Sequence, residues 1–266
     1  MKLSKINKEK IRELLENKER LDGRGLLDFR ELSIETGISS KAEGSARVKL
    51  GDTEVIVGVK IDILEPYPDS PDSGVMMVTA ELSPLASDEF ESGPPGINAI
   101  GLARSVDRAI RESNFIDTKK LCIKKEEKVW GVFIDIYPTN DAGNLVDASA
   151  LAAVAALLEC KIPKLDGEKV NHEEHSNKKL PLNTIPLTVT AYKVNDTFIL
   201  DPTSEEESSS KTKITASVTF NKDEPTIHGM IKIGEEPIEI EQLLDMVNKI
   251  SKQAKKLKDK ISKSKK

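Results

Sequence analysis

The sequence predicts an α+β fold, mixed α/β in element order, on three observations. Apolar strand-like runs alternate with helical periodicities along the chain, in the order ββ-β-α-β-α-ββ-β-α. Two of the runs are tight hairpins, pivoting on Gly51-Asp52 and Asn195-Asp196. Residues 148–159 (ASALAAVAALLE) are apolar nearly all round, which marks a helix buried on most sides. With 266 residues, 38% hydrophobic and 32% charged, the chain can bury a real core, and its length suits one large domain or two intimately packed halves.

Each element has a local reason. Residues 5–20 read as a helix on the stripe Ile6, Ile11, Leu14 and Leu15, broken by Arg20-Leu-Asp-Gly-Arg24. ARVKL and EVIVGVKIDIL flank Gly51-Asp52 as strands, the second apolar on both faces and therefore central. EPYPDSPDSG (65–74), with three prolines, is an extended loop, and VMMVTAEL (75–82) is a strand. After the Pro/Gly loop 84–96, Ala99, Ala103, Val106 and Ile110 line one face of a helix over 97–113. Strand 128–138, the Ala-rich helix, and strands 185–194, 197–201, 212–220 and about 229–233 follow, before a helix from about 238 on Ile240, Leu243, Leu244, Val247 and Ile250. The expected division is an N-terminal helix and entry segment (1–30), a first β/α unit (31–163), a polar, loop-like insertion (164–184), a second unit (185–252) and a basic, fraying tail (253–266).

Composition excludes several classes. No apolar run approaches a membrane span, and the start MKLSKINKEK lacks the apolar core of a secretory signal. Two cysteines, Cys122 and Cys160, are too few for a disulfide framework, so a reduced, cytoplasmic setting is expected. The net charge of −5 argues against a general nucleic-acid coat, yet it is uneven: +3 over 1–30, +8 over 249–266, leaving −16 over 31–248.

Candidate chemistry is sparse. His172-Glu-Glu-His175 lacks the i, i+4 histidine pair of a zinc-protease helix and reads as a surface loop, so no metal or cofactor site is expected. Asn140-Asp-Ala-Gly-Asn144 could present backbone N–H groups to a phosphate, but Asn144 or Asp147 can simply cap the following helix. Asp196 and Asp201, with Glu205, Glu206 and Glu207 beyond, could be acid/base or metal partners, or plain turn residues. Arg104, Arg108 and Arg111 stand at i, i+4, i+7 on one stripe, opposite the apolar face. Periodicity alone favours a solvated face with local ion pairs; the functional alternative is an anion clamp, for which the planar guanidinium fork is suited.

Several strings together carry a resemblance. Arg20-Leu-Asp-Gly-Arg24…Asp28-Phe-Arg30, Gly51-Asp-Thr53…Val57-Gly-Val-Lys60, Glu65-Pro-Tyr-Pro-Asp-Ser-Pro-Asp-Ser-Gly74, Glu81-Leu-Ser-Pro-Leu-Ala-Ser87…Phe90-Glu-Ser-Gly-Pro-Pro95 and Leu200-Asp-Pro-Thr-Ser-Glu-Glu-Glu207 span nearly the whole chain. They resemble the RNase PH family, and within it the non-catalytic, larger ring subunit of the archaeal exosome. The resemblance implies two packed β/α units in an RNase PH-like fold with N- and C-terminal helices. It implies a heterodimer with a catalytic RNase PH-like subunit, three copies of which close a hexameric ring. Cap subunits with OB-type and KH or zinc-ribbon domains, and single-stranded RNA degraded phosphorolytically from its 3′ end, complete the expected partners. Catalytic relatives carry a Ser-Arg or Thr-Arg pair in the turn before the Ala-rich helix; here it reads Ala142-Gly143-Asn144-Leu145. Their paired acids correspond here to Asn195 and Asp201, so Asn144, Asn195 and Asp201 are expected to be degenerate active-site positions, with no catalytic residue. The resemblance also implies that Arg104 and Arg108, with Arg111 less directly, contact RNA phosphates at the partner's active site.

Overall fold

The computed structural model describes residues 5–166 and 169–264. Its elements run α1 (Lys5–Glu16), β1 (Leu32–Thr36), β2 (Gly44–Leu50), β3 (Thr53–Leu64), β4 (Val75–Ala80), α2 (Ile97–Glu112), β5 (Cys122–Lys124), β6 (Lys128–Asn140) and α3 (Leu145–Glu159). Then follow β7 (Lys161–Asp166), β8 (Lys169–Lys179), β9 (Leu187–Val194), β10 (Thr197–Leu200), α4 (Ser204–Ser209), β11 (Thr212–Asn221), β12 (Glu224–Gly234) and α5 (Ile240–Ser264).

The first sheet has the order β1-β2-β3-β6-β4, with β5 beside β6. Period-2 alternation sends Val55, Val57, Val59 and Ile61 of β3 to one face, with Ala46, Val48 and Leu50 of β2 and Val132, Ile134 and Ile136 of β6. Gly51 adopts φ 57° in the β2–β3 turn, as a two-residue hairpin requires. β4 lies parallel to β6, which demands a crossover, and α2 is carried on it.

The second sheet, β10-β9-β11-β12, is antiparallel throughout. Leu187, Val189, Ala191, Ile214, Ala216 and Val218 face α5, which buries Met246, Ile250, Ala254, Leu257 and Ile261 with them in the main core. The opposite face carries Thr188, Thr190, Thr215 and Ser217 toward α2 and α3. At its end, Tyr192, Val194 and Ile199 pack on Ile11 and Leu15 of α1. Every residue of α3 from Asp147 to Leu157 is buried, between β2 and β3 on one side and β9 on the other. Its alanines let both sheets approach the helix backbone closely.

Four expectations change. The polar insertion is a β-hairpin, β7 with β8, and not a loop. The backbone of 172–175 belongs to β8, while the side chains of His172, Glu173, Glu174 and His175 lie outside the described residues. The segment beyond Leu200 forms α4, started by a capping box: the Thr203 hydroxyl accepts from the Glu206 N–H, and the Glu206 carboxylate from the Thr203 N–H. The basic tail does not fray at 252: α5 continues to Ser264, because Ala254, Leu257 and Ile261 extend its buried stripe.

Candidate functional site

α2 presents the three arginines as the spacing predicts. Its buried face comprises Ala99, Leu102, Ala103, Ser105, Val106, Ala109 and Ile110, leaving Arg104, Arg108 and Arg111 outside. The three are not equivalent. Arg111 is paired with Asp107 at 2.6 Å, also donates to the Met76 carbonyl at 3.2 Å, and has its pKa raised chiefly by the Asp107 hydrogen bond. Arg104 and Arg108 are exposed and have no carboxylate partner among the described residues. Arg108 also lines a small, mostly apolar cavity with Ala109, Ile231 and the stems of Ser105, Thr188, Thr215 and Ser217. Two bare guanidinium groups one helical turn apart are suited to neighbouring phosphates of one strand.

The second locus lies at the start of α3. Gly143 (φ 96°) and Asn144 (φ 59°) are consecutive left-handed residues that fold the β6–α3 turn back toward α4. A side chain at Gly143 would meet the Pro202 carbonyl at 2.6 Å and Thr203 C at 2.6 Å, so only glycine fits. Asn144 occupies the N-cap position but makes no side-chain cap bond, contrary to the capping expectation. Instead its amide donates to both Asp147 Oδ2 (3.1 Å) and Asp201 Oδ1 (3.0 Å). Asn144 and Asp201 therefore meet as expected. Asn195 does not join them: it sits at φ 51° in the β9–β10 turn, at the opposite end of the hairpin from Asp201, and its amide donates to Glu16.

The acid beside Asp201 is Asp147. It is fully buried and accepts from the Thr190 N–H (3.0 Å), the Thr190 hydroxyl (2.7 Å) and Asn144, and no cation touches it among the described residues. Burial pushes its carboxyl up to about 7 against those hydrogen bonds, with the Asp201 charge adding to the rise. While Asp147 is ionised and accepts from the Thr190 hydroxyl, Thr215 is the donor in the 3.0 Å contact between the two hydroxyls. A hydrogen-bonded chain thus runs from Asp201 through Asn144, Asp147 and Thr190 to Thr215, in the wall of the cavity under Arg108.

Around this chain, internal groups take up the arginine donors and the N–H groups of residues 142–144. Asp201 accepts from the Arg30 backbone (2.7 Å), Arg30 Nε (3.0 Å) and Nη2 (2.7 Å), and Arg24 Nη1 (3.1 Å). Arg30 also donates to the carbonyls of Ala142 and Gly143. Arg20 grips both oxygens of buried Glu206. In the turn, the N–H of Ala142 goes to the Thr53 hydroxyl, that of Gly143 to Asp141, and that of Asn144 to Glu207 Oε2 at 2.9 Å. The other Glu207 oxygen accepts from the Tyr192 hydroxyl (3.0 Å) and Lys213 (3.1 Å). Burial, the first cause, and the neighbouring Glu207 charge raise the Asp141 pKa, while the Gly143 N–H acts against them. Sequence reasoning missed Arg20, Arg24, Arg30, Asp147 and Glu207 as one assembly; the Thr203…Glu206 capping box is the one local signal that could have placed α4 beside the turn. Among the described residues no group of three or more His, Cys, Asp or Glu is arranged to hold a metal, and no helix is long and apolar enough to cross a membrane.

Two sheets on a shared helix, with a turn-and-carboxylate locus at that helix's start, are the frame of an RNase PH domain. Family models for the 3′ exoribonuclease family match in two parts, domain 1 over residues 28–163 and domain 2 over 184–249. The chain belongs to this RNase PH family of 3′ exoribonucleases. It is similar to exosome complex component Rrp42 of Methanocella arvoryzae, 46% identical over 97% of this chain and 96% of the relative. The namesake from Archaeoglobus fulgidus is 49% identical over 84% and 83%. Among solved structures, a chain of the Archaeoglobus fulgidus exosome with RNA bound to the active site superposes with a TM-score of 0.88, at 44% identity, covering 96% of this chain and 97% of that one.

Proposed function

We propose that the chain is the non-catalytic, RNase PH-like ring subunit of an archaeal exosome, completing the RNA path of a catalytic RNase PH-like partner in 3′-to-5′ phosphorolytic RNA degradation. One observation supports the non-catalytic reading: the Asn144 N–H and the Arg30 guanidinium at the start of α3 are already taken by the protein's own carboxylates. Glu207 takes the Asn144 N–H and Asp201 takes Arg30, where a phosphorolytic enzyme must leave donors open to inorganic phosphate. Both oxygens of Asp201 are likewise occupied, by Arg24, Arg30 and the Asn144 amide. Elsewhere, on α2, Arg104 and Arg108 have no carboxylate partner among the described residues. In this reading Arg104 and Arg108 contact RNA phosphates, and Arg111, held by Asp107, contributes less.

In this reading three copies alternate with three catalytic subunits in a hexameric ring in the cytoplasm, with cap subunits carrying OB-type and KH or zinc-ribbon domains on one face. The similarity to Rrp42 proteins supports the assembly. The test is to supply RNA and inorganic phosphate to the purified chain, to its catalytic partner and to both together. Nucleoside diphosphates should appear only where the partner is present. Their release by this chain alone would overturn the reading.

A further inference from the structure

The C-terminal half of α5 carries a second cationic surface, on the side of the second sheet opposite α2. Ile250, Ala254, Leu257 and Ile261 are buried at 4, 3, 4 spacing and fix the rotation of the helix. What faces outward is Lys252, Lys256 and Lys260, at i, i+4, i+8 and all exposed. They span about 12 Å along the axis. None has a carboxylate partner among the described residues, whereas neighbouring Lys249 and Lys255 are held by Asp245 (2.6 Å) and Asp223 (3.0 Å). Helix polarity favours cations only in the last turn, and Lys252 is three turns from the end of α5. The surrounding body, −16 over residues 31–248, makes this positive stretch a local exception.

We propose that Lys252, Lys256 and Lys260 bind the phosphate backbone of single-stranded RNA, as a sequence-independent contact outside the arginine path. The chemistry selects RNA over a protein partner. From 249 to 261 the described residues expose no apolar side chain, and lysine is depleted at the cores of protein interfaces. A row of compact ammonium charges has no fork to read a base edge and no aromatic ring to stack one; it can only neutralise phosphates. The contact needs no ring, so it stands apart from the subunit assignment above.

The test uses the full chain and a fluorescent oligoadenylate, with affinity measured over a salt series. Lys252→Glu with Lys256→Glu and Lys260→Glu should weaken binding at low salt by about tenfold or more, and should lower the log–log salt slope by about 2, as expected for three lost single-strand phosphate contacts. The corresponding triple Gln variant should show the same loss of slope with a smaller loss of affinity. Phosphorolysis of a short RNA by the complex with the catalytic subunit is read separately. It should survive the lysine changes and fail with Arg104→Glu and Arg108→Glu, so the two proposals fail independently. Unchanged affinity and slope in both lysine variants would overturn the lysine contact. So would intact RNA binding with loss of assembly, which would make the surface a protein seat.

Discussion

Arg20, Arg24 and Arg30 beside the start of α3, and Arg104, Arg108 and Arg111 on α2, are the same cation in opposite circumstances. The first three are buried or nearly so and are saturated: by Glu206, by Asp201, and by backbone carbonyls. Of the second three, only Arg111 has a carboxylate, and it is the one whose helix supplies an aspartate at i−4. The difference teaches that arginine content does not locate an anion site. What locates it is where carboxylates are withheld. On α2 Asp107 (i+3 from Arg104) is taken by Arg111 and Glu112 (i+4 from Arg108) makes no pair with Arg108 among the described residues, while the α3 turn is closed by acids arriving from α4 and the end of β10.

The contrast can be broken most forcefully at Asp201. Asp201→Ala leaves Arg30 and Arg24 without their buried counter-charge and should lower stability by about 3–5 kcal/mol in urea unfolding. A loss below about 1 kcal/mol would mean that the two arginines do not depend on it. On the other side, Arg104→Glu with Arg108→Glu should cut RNA degradation by the assembled complex about tenfold or more while moving the chain's unfolding free energy by no more than about 0.5 kcal/mol, since both side chains are exposed. If unfolding shifts and RNA handling does not, the two loci are not opposites.

A finer probe is pH. The Asp147 carboxyl sits at about 7 in the folded chain against 3.8 as a free side chain, so the folded state holds that proton more tightly than the unfolded state does. Its contribution to stability is therefore complete below about pH 4 and is lost as pH rises to about 7. Asp147→Asn, which has nothing to titrate, should flatten this part of the stability–pH curve; an unchanged slope would place the titration elsewhere. The smallest effect belongs to Arg111→Ala. Removing one exposed i, i+4 pair should cost about 0.3 kcal/mol and little RNA affinity.

Local signals were legible and long-range ones were not. The β2–β3 hairpin, the buried α3 and the outward arginines of α2 each follow from a short-period pattern, and the structure has all three. The β7–β8 hairpin escaped because its sequence is polar without alternation, so nothing marks it as a strand pair. The end of α5 escaped because three apolar residues at helical spacing are hard to see among nine lysines. The locus at the start of α3 is legible in part. Motif position points to Asn144 and Asp201, but it puts the partner position six residues upstream in the same hairpin, at Asn195. The partner acid is instead Asp147, bridged to β9 across 43 residues of sequence through Thr190. A contact of that range is set by how α3 docks on the second sheet, and no spacing rule reaches it.

The pair of left-handed residues at 143 and 144 bears on any attempt to build a Ser-Arg phosphate site at the start of α3. A hydroxyl at position 143 has no room, since the first carbon of any side chain would collide with the start of α4. A guanidinium at 144 would have to be carried on a conformation that arginine disfavours, and would also remove the amide that separates Asp147 from Asp201. Freeing the turn's N–H groups requires displacing Glu207, which also serves Tyr192 and Lys213. Building such a site is therefore a redesign of the β6–α3 turn together with α4.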